Sequence, residues 1–333
     1  MSLFCLYTIF AANFFTLKIT DLIKQEGKTF FSFEILPPLR GKSIDALYEG
    51  IDPLMEFEPR FINVTYHREE YVTREYPDGH VEKVSTRKRP GTVAVCAAIK
   101  HKYKVEAVPH LICGGFTKEE TEYALMDCHY LGINNVLALR GDPVKGEAGF
   151  TPTPGGNRSS LELITQIQNL NKGQYLHEEM EAPAPTDFCV GVSGYPEKHF
   201  EAADLQADLA FLKQKVDAGA DFVVTQLFYD NKKYFEYVDA CRAMGINIPI
   251  IPGLKPITTL KQIELLPKVF YINFPTELKE QLDRCKTDTD VNEVGIDWGI
   301  KQAKELLAYG IPSLHYYTMG KSQAVSRILR SVF

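Results

Sequence analysis

One carboxylate stands inside an apolar run near the start of the chain. The run 30–36 is aromatic and aliphatic apart from Ser32 and Glu34, and Pro37-Pro38 ends it. Such a run between breakers predicts a buried strand, and a buried carboxylate is usually paired or functional. If the strand belongs to a parallel α/β sheet, Glu34 lies at the end where ligands bind. The alternative is a Glu that points to solvent from an edge strand.

Polar side chains also follow the ends of the later predicted strands. Each has an ordinary explanation: His110 could be a satisfied core histidine, and Asp142 could cap a turn. Acid, base, amide and aromatic groups gathered at one rim are nevertheless hard to attribute to packing, and a barrel would bring these strand ends together. The residues are Thr65, Tyr66, His110, Arg140, Gly141, Asp142, Tyr195, His199, Gln226, Pro252, Gly253, Tyr316, Tyr317 and Thr318.

These side chains suit proton transfer to a flat, polar organic substrate. Glu34 supplies a buried acid, and Arg140 with Asp142 is predicted to form an ion pair or an anion clamp. The sequence has no His, Asp and Glu spacing typical of a metal site, and no Ser or Cys stands in a nucleophile elbow beside a His. The residues alone do not name a cofactor.

Eight apolar segments have the length and composition of strands, and helical segments follow them. The segments are rich in β-branched residues on both faces, as parallel strands covered by helices require. We therefore predict a single (β/α)8 TIM barrel. A doubly wound open sheet is the alternative, but Leu36-Pro37-Pro38 is not the glycine-rich turn it would need after strand 1. The predicted strands are 29–36, 61–66, 106–113, 135–141, 188–195, 222–228, 248–253 and 314–318.

The segments between the strands carry clear helix and turn signals. A strongly periodic helix is predicted over 200–218 and a more ambiguous one over 92–103. Residues 67–90 are charged and predict a long loop with a turn at Pro77-Asp78-Gly79. Residues 171–187 look like a polar insertion.

Composition excludes several classes of protein. A net charge of −6 over 333 residues disfavours a nucleic-acid partner, and seven cysteines without a CxxC pair suit a reducing cytoplasm. Residues 1–17 are apolar and uncharged, but they are short for a membrane span and lack the positive start of a secretory signal. We expect no membrane association, a disordered or loosely docked extension at 1–17, and the barrel at 18–333.

The strand-end motifs stand in an order that resembles a known family. They are FSFE at 31–34 with Pro37-Pro38, NVTY at 63–66, PHL at 109–111, LALRGDP at 137–143, GYPEKH at 194–199, KVDAGA at 215–220, TQLFYD at 225–230, IPG at 251–253 and HYYT at 315–318. Together they resemble the methylenetetrahydrofolate reductases. The resemblance runs from about residue 18 to the C-terminus and is closest to the bacterial type, which consists of the catalytic domain alone.

The resemblance implies a flavoprotein that reduces 5,10-methylenetetrahydrofolate to 5-methyltetrahydrofolate and so supplies methyl groups for methionine synthesis. It implies FAD as cofactor and NADH, or else NADPH, as electron donor, with hydride passing through flavin N5 in two half-reactions at one site. It also implies a cytoplasmic homo-oligomer. Eukaryotic relatives add a C-terminal regulatory domain, which we do not expect here.

The resemblance also implies roles for individual residues. Glu34 would be the general acid that opens the folate ring, and Asp142 would stabilise the cationic iminium ion. Lys321 stands where the family often has an Arg that grips the folate glutamate tail, and it keeps the charge without the bidentate fork. The FAD contacts would be Thr65, Tyr66, His110, Arg140, Gly141, Asp142, Tyr195, His199, Asp208 and Lys215. The substrate contacts would be Thr65, Asp142, Gln226, Gln262 and Lys321.

Two other functions stay open at this point. One is a non-catalytic folate or flavin carrier on the same barrel. The other is a different barrel flavoenzyme, such as a proline oxidase, which the set of Glu34, Asp142 and Gln226 disfavours.

Overall fold

Parallel strands surround a common axis in the computed structural model, which describes residues 17–143, 149–177 and 181–333. The prediction for residues 1–17 therefore lies outside the described residues, apart from Leu17. The strands are β1 (Phe30–Ile35), β2 (Phe61–Val64), β3 (Glu70–Glu75), β4 (Val81–Thr86), β5 (Glu106–Ile112), β6 (Asn135–Leu139), β7 (Cys189–Gly194), β8 (Phe222–Thr225), β9 (Ile250–Ile251), β10 (Gly253–Leu254) and β11 (Ser313–Tyr317).

The main sheet closes on itself through β9 and β10. Its order is β10-β11-β1-β2-β5-β6-β7-β8-β9, and all of its pairs are parallel. Pro252 alone separates β9, which pairs with β8, from β10, which pairs with β11. The two short strands are thus one strand position, and the sheet has eight. The predicted (β/α)8 barrel is confirmed, and the open sheet is excluded.

Helices surround the barrel, and the first of them lies at its base. They are α1 (Ile19–Glu26), α2 (Asp45–Ile51), α3 (Thr92–Tyr103), α4 (Lys118–Tyr130), α5 (Ser160–Leu170), α6 (Leu205–Asp217), α7 (Asn231–Ala243), α8 (Leu260–Phe270), α9 (Thr276–Leu282), α10 (Asp288–Tyr309) and α11 (Gln323–Leu329), with a 3-10 helix at Asp52–Phe57. Thr117 starts α4 with a capping box to Glu120, as its sequence indicates. No helix in the described part of the chain is both long and apolar enough to cross a membrane.

Side chains of the strands alternate between the barrel interior and the helices. On β1, Phe31 and Phe33 pack in the core between sheet and helices, whereas Phe30 packs inside the barrel. Because successive strand residues point to opposite faces, Ser32 and Glu34 share the interior side with Phe30. Glu34 is one residue from the end of β1 and therefore lies at the upper rim of the interior.

The lower part of the barrel is filled by apolar side chains and closed by α1. Ile19 and Leu22 of this helix pack against interior residues of the strands. The amide of Ile19 donates a 2.9 Å hydrogen bond to Oδ1 of the buried Asn135, whose Nδ2 donates to the Leu17 carbonyl at 2.8 Å. With its base closed in this way, the barrel is open to ligands at its upper end.

The prediction that residues 67–90 form a long loop is wrong. Strands β3 and β4 form an antiparallel hairpin there, and the predicted turn joins them, with Gly79 N donating to Tyr76 O at 2.9 Å. All of β3 is exposed to solvent, so its residues lack the apolar alternation that marks a strand packed on a core. Cross-strand contacts stabilise the hairpin instead, among them Tyr76 Oη to Glu82 at 2.6 Å.

Several predicted ends also differ from the structure. The strand predicted over 222–228 ends at Thr225, and the helix predicted over 200–218 begins at Leu205, whose N-cap Asp204 accepts from Ala207 N at 2.8 Å. Leu205 is itself exposed, because the helix has only begun at that point. The ambiguous helix 92–103 is confirmed as α3.

Candidate active site

One cleft at the upper ends of the strands is lined by every residue to which the family resemblance gave a catalytic or binding role. Its volume is about 2480 Å³, and it extends from the β3–β4 hairpin to the start of α11. The lining includes Glu34, Thr65, Tyr66, His110, Arg140, Gly141, Asp142, Tyr195, His199, Asp208, Lys215, Gln226, Gln262 and Lys321. The structure brings these side chains together at one end of the barrel.

Glu34 and His110 meet at the rim of the interior. The Glu34 Oε2 atom lies 3.3 Å from Nε2 of His110, on the non-adjacent strands β1 and β5. Both residues are buried, at 8% and 7% exposure. The Glu34 carbonyl accepts hydrogen bonds from Thr318 N at 3.2 Å and Thr318 Oγ1 at 2.8 Å, which fixes the end of β1 against the loop after β11.

Burial moves the pKa values of these two groups in opposite directions. It raises the pKa of Glu34 to about 8, against the opposing effect of the Lys255 charge. It lowers the pKa of His110 to about 3, with a further contribution from His67. Near pH 7 both groups are neutral, so the contact is not an ion pair. Glu34 therefore holds a proton in the range where a general acid works best.

Arg140 and Asp142 do not form the ion pair that was one of the two arrangements predicted for them. Arg140 makes a bidentate ion pair with Glu201, with Nη2 to Oε1 at 3.0 Å and Nη1 bonded to Oε2. The Arg140 guanidinium also lies 5.1 Å from the ring centre of Phe150. Two residues along the loop, Asp142 lines the cleft with its side chain exposed. Sequence proximity suggested a partner, but the fold supplies a better-oriented one from the loop before α6.

A second cluster lies around α6. Lys215 is 4% exposed, and its Nζ donates to the Ser193 carbonyl at 2.8 Å. Burial lowers the pKa of Lys215 to about 8, against the attraction of Asp208. Asp208 Oδ2 accepts from His199 N at 3.0 Å, and burial raises the pKa of Asp208. The ammonium group of Lys215 therefore faces the cleft from a buried position, and it has more N–H donors than its hydrogen bond to Ser193 uses.

Aromatic and hydroxyl groups line the walls around these charges. Tyr195 Oη lies 3.2 Å from Ser193 Oγ, and its ring meets the His199 ring edge to face at 4.7 Å. Tyr66 packs on Phe116 with ring centres 4.8 Å apart. The wall thus offers both flat apolar surfaces and hydrogen-bonding groups, as a planar heteroaromatic ligand requires.

The two glutamines predicted to contact the substrate each accept a hydrogen bond from a backbone amide nearby. Gln226 follows β8, and its Oε1 accepts from Leu227 N at 2.9 Å, which leaves the NH2 group as its donor to a ligand. Gln262 lies in the first turn of α8, where its Oε1 accepts from Thr258 N at 2.7 Å.

Lys255 is a rim residue that the sequence reasoning missed. It follows β10 directly, lines the cleft and donates from Nζ to the Tyr317 carbonyl at 3.3 Å. Its signal is in the sequence, because Ile251, Gly253 and Lys255 continue the alternation that points inward. The predicted strand stopped at Gly253, one residue before the end of β10.

The two tyrosines of β11 do not share one role. Tyr317 lines the cleft, and its Oη donates to Thr225 O at 2.6 Å. Tyr316 packs in the core between sheet and helices, 6.1 Å from the ring centre of Phe31. The sequence placed both at the rim, but neighbours on a strand face opposite sides. Within the described ranges no group of three His, Cys, Asp or Glu residues is placed to hold a metal ion.

A comparison with protein families assigns this chain to one of them. The family model for methylenetetrahydrofolate reductase matches residues 18–332. The chain belongs to the methylenetetrahydrofolate reductase family. The resemblance seen in the strand-end motifs is therefore confirmed at the level of the family.

Curated relatives of the chain differ in length. Methylenetetrahydrofolate reductase (NADH) 1 of Arabidopsis thaliana is 34% identical over 329 residues, which cover 95% of this chain and 51% of that protein. The 5,10-methylenetetrahydrofolate reductase of Escherichia coli (strain K12) is 29% identical over 307 residues, which cover 91% of this chain and 90% of that protein. The chain thus spans about half the length of its plant relative and most of the bacterial one.

A solved structure shares the barrel. It is an uncharacterised protein from Clostridium thermocellum that binds two copies of 5-methyl-5,6,7,8-tetrahydrofolic acid. Its TM-score is 0.53 at 14% identity, over 93% of this chain and 96% of that one. At this identity the likeness supports the fold alone.

Proposed function

We propose that this protein reduces 5,10-methylenetetrahydrofolate to 5-methyltetrahydrofolate, with FAD as cofactor and NADH or NADPH as electron donor. The observation that carries the proposal is the position of Glu34, which is buried beside His110 at the rim of a cleft in a chain of the methylenetetrahydrofolate reductase family. The chain covers only half of its plant relative, so the activity is inferred from the site and not from the name of that relative.

The donor set of the cleft fits FAD. Lys215 is a buried amine with one carbonyl partner, and Arg140 is a guanidinium oriented by Glu201. Such donors suit phosphate and ribityl oxygens. The hydroxyl of Thr65 and the rings of Tyr66 and Tyr195 would hold the flat ring system. When bound, FAD supplies a hydride carrier between the nicotinamide nucleotide and the folate.

Glu34 provides the proton that the folate step requires. The five-membered ring of methylenetetrahydrofolate must open before its methylene carbon accepts a hydride, and opening places a proton on the leaving ring nitrogen. At neutral pH the Glu34 carboxyl group still carries that proton, because burial raises its pKa to about 8. The neutral His110 beside it adds no positive charge that would draw the proton away.

Other residues of the cleft would orient the substrates. The exposed carboxylate of Asp142 would stabilise the cationic iminium ion that ring opening produces. The NH2 group of Gln226 would donate to the folate pterin or to the nicotinamide amide, which would use the same part of the cleft in turn. Lys321 and Gln262 would contact the rest of the folate.

Two half-reactions measured separately test this proposal. The purified protein, loaded with FAD, is reduced anaerobically with NADH or with NADPH while flavin absorbance is recorded, and methylenetetrahydrofolate is then added. We expect reduction by at least one nucleotide and reoxidation with formation of methyltetrahydrofolate. A protein that takes up no FAD, or whose reduced flavin ignores the folate, would contradict the proposal.

A further inference from the structure

Lys255 is a charged residue of the rim that the proposed function does not use. Its backbone is fixed by Tyr229, whose Oη donates to the Lys255 carbonyl at 2.9 Å. Its Nζ donates to the carbonyl of Tyr317 at 3.3 Å. Tyr317 is the residue directly opposite Glu34 in the β1–β11 pair. The ammonium group is therefore held at the strand that neighbours Glu34, on the interior side of the barrel.

The groups around Glu34 contain few competing charges. His110 from β5 is neutral, and Tyr317 from β11 is a phenol whose pKa burial raises well above its usual value. Lys321, from the loop after β11, repels Lys255 but is exposed. The positive charge of Lys255 attracts the Glu34 carboxylate, and this attraction opposes the rise in the pKa of Glu34 that burial causes.

The proposed chemistry requires such a charge. When Glu34 gives its proton to the substrate nitrogen, its O–H bond breaks and a carboxylate is left at 8% exposure. A buried carboxylate without a nearby cation is strongly disfavoured. A cation near it lowers the cost of the proton transfer and limits how far burial can raise the proton affinity of the acid.

We propose that Lys255 is a positioning residue of the folate half-reaction, and that its ammonium group controls the protonation of Glu34 and stabilises the carboxylate formed on proton transfer. The inference rests on the proposed function and deepens it, because it assigns a second residue to the acid step. Burial lowers the pKa of Lys255 to about 8, so the ammonium form still prevails at pH 7.

The test is the pH dependence of the folate half-reaction in Lys255→Met, Lys255→Arg and the wild type. Reoxidation of the reduced enzyme is followed at saturating methylenetetrahydrofolate between pH 6 and 10. In Lys255→Met we expect the alkaline limb to move up by about one pH unit and the rate at pH 7 to fall about tenfold. Lys255→Arg keeps the charge and should restore both. Lys268→Met, which removes an exposed lysine of α8 outside the cleft, should leave the alkaline limb in place.

A second measurement avoids turnover altogether. The C=O stretch of the protonated carboxyl group is followed by infrared difference spectroscopy of the apoprotein, and Glu34→Gln assigns it. Its titration midpoint should rise by about one pH unit in Lys255→Met. Circular dichroism shows whether each variant is folded.

Failure of the inference differs from failure of the proposed function. A wild-type enzyme that does not reduce the folate overturns the function itself. An active wild type, with an unmoved alkaline limb and midpoint in Lys255→Met, overturns the role of Lys255. If that variant then shows only a raised KM for the folate, Lys255 contacts the anionic tail of the substrate instead.

Discussion

His110 Nε2 lies 3.3 Å from Oε2 of Glu34, and near pH 7 neither group is charged. A histidine and a glutamate at this distance would form an ion pair on a protein surface. Here both are buried, and burial favours the neutral form of each. The proton therefore stays on Glu34 despite the nearby histidine, and this is the state that a general acid needs.

The first prediction concerns Glu34→Gln. The amide cannot give a proton, so folate reduction should fall by about 10²-fold or more, while reduction of the flavin by the nicotinamide nucleotide should stay within about threefold of the wild type. In the wild type the folate step should decline as the pH rises through about 8, where Glu34 loses its proton. Stopped-flow absorbance measures both steps. An equal loss in both half-reactions would argue against the acid role.

The second prediction concerns stability and pH. The pKa of Glu34 is about 8 in the folded protein and near its ordinary value of 4.5 in the unfolded chain. Between these values the folded state binds more protons, so the contribution of Glu34 to stability is present below pH 4.5 and is lost as the pH rises through 8. Relative to Glu34→Gln, the wild type should lose up to about 1.4 kcal/mol per pH unit in this window.

Thermal midpoints of the apoproteins at pH 5, 6, 7 and 8 check this second prediction. The gap between Glu34→Gln and the wild type should widen in favour of the variant as the pH increases. Glu264→Gln is the surface control, because the Glu264 side chain is 82% exposed, and its difference from the wild type should stay small. A constant gap for Glu34→Gln would show that the folded carboxyl group titrates at an ordinary pH.

Part of this site follows from the sequence alone. Glu34 could be placed at the mouth of a barrel because an apolar run, a single carboxylate and two prolines each have a local meaning. The ion pair of Arg140 could not be predicted, because its partner Glu201 is 61 residues away in the chain and is brought close by the β7–α6 loop. Local patterns identify strands and their ends, whereas side-chain partners across the mouth depend on the closure of the whole barrel.

The third prediction uses the bidentate geometry of Arg140. Arg140→Lys keeps the charge but loses the planar fork that Glu201 orients, so we expect FAD affinity to fall about tenfold with little change in the thermal midpoint. Arg327→Lys is the matched control, because Arg327 forms the same kind of pair with Glu293, at 2.5 and 2.7 Å, outside the cleft. Titration calorimetry of the apoproteins with FAD measures the difference. Equal affinities in the two variants would remove Arg140 from the cofactor site.

The fourth prediction separates stability from cofactor binding at Lys215. A buried ammonium is costly, so Lys215→Met should raise the thermal midpoint of the apoprotein at pH 7 while FAD affinity falls at least tenfold. The stability gain should shrink as the pH rises through about 8, where the lysine becomes neutral. Lys213→Met on the same helix removes a lysine paired with Asp217 near the surface and should change neither quantity much. A Lys215→Met apoprotein that is less stable than the wild type would contradict this account.

The exposed hairpin β3–β4 and the continuation of β10 to Lys255 show where pattern reasoning ends. The hairpin has no buried face, so apolar periodicity carries no signal there. Lys255 stands one residue past the last strand pair, yet it keeps the inward direction of Ile251 and Gly253. Lys255 could have been predicted if the inward and outward alternation had been continued past the last apolar residue. The backbone sets the direction of a side chain, whatever its polarity.

The last prediction concerns Gly253, the first residue of β10, which lets β9 and β10 close the barrel. A Cβ at this position would lie 2.1 Å from the Thr225 carbonyl and 2.6 Å from the Tyr317 ring. The Thr225 carbonyl and the Tyr317 ring cannot both move away from this Cβ, because the Tyr317 hydroxyl is hydrogen-bonded to that carbonyl. Gly253→Ala should therefore cost about 2–3 kcal/mol of stability, and it should also slow the folate step, because Tyr317 carries the carbonyl that holds Lys255. Gly149→Ala is the control, because its Cβ would meet no atom of the described residues within 4 Å. If chemical denaturation finds the two variants equally stable, the strand has room to shift, and Gly253 does not set the closure of the barrel.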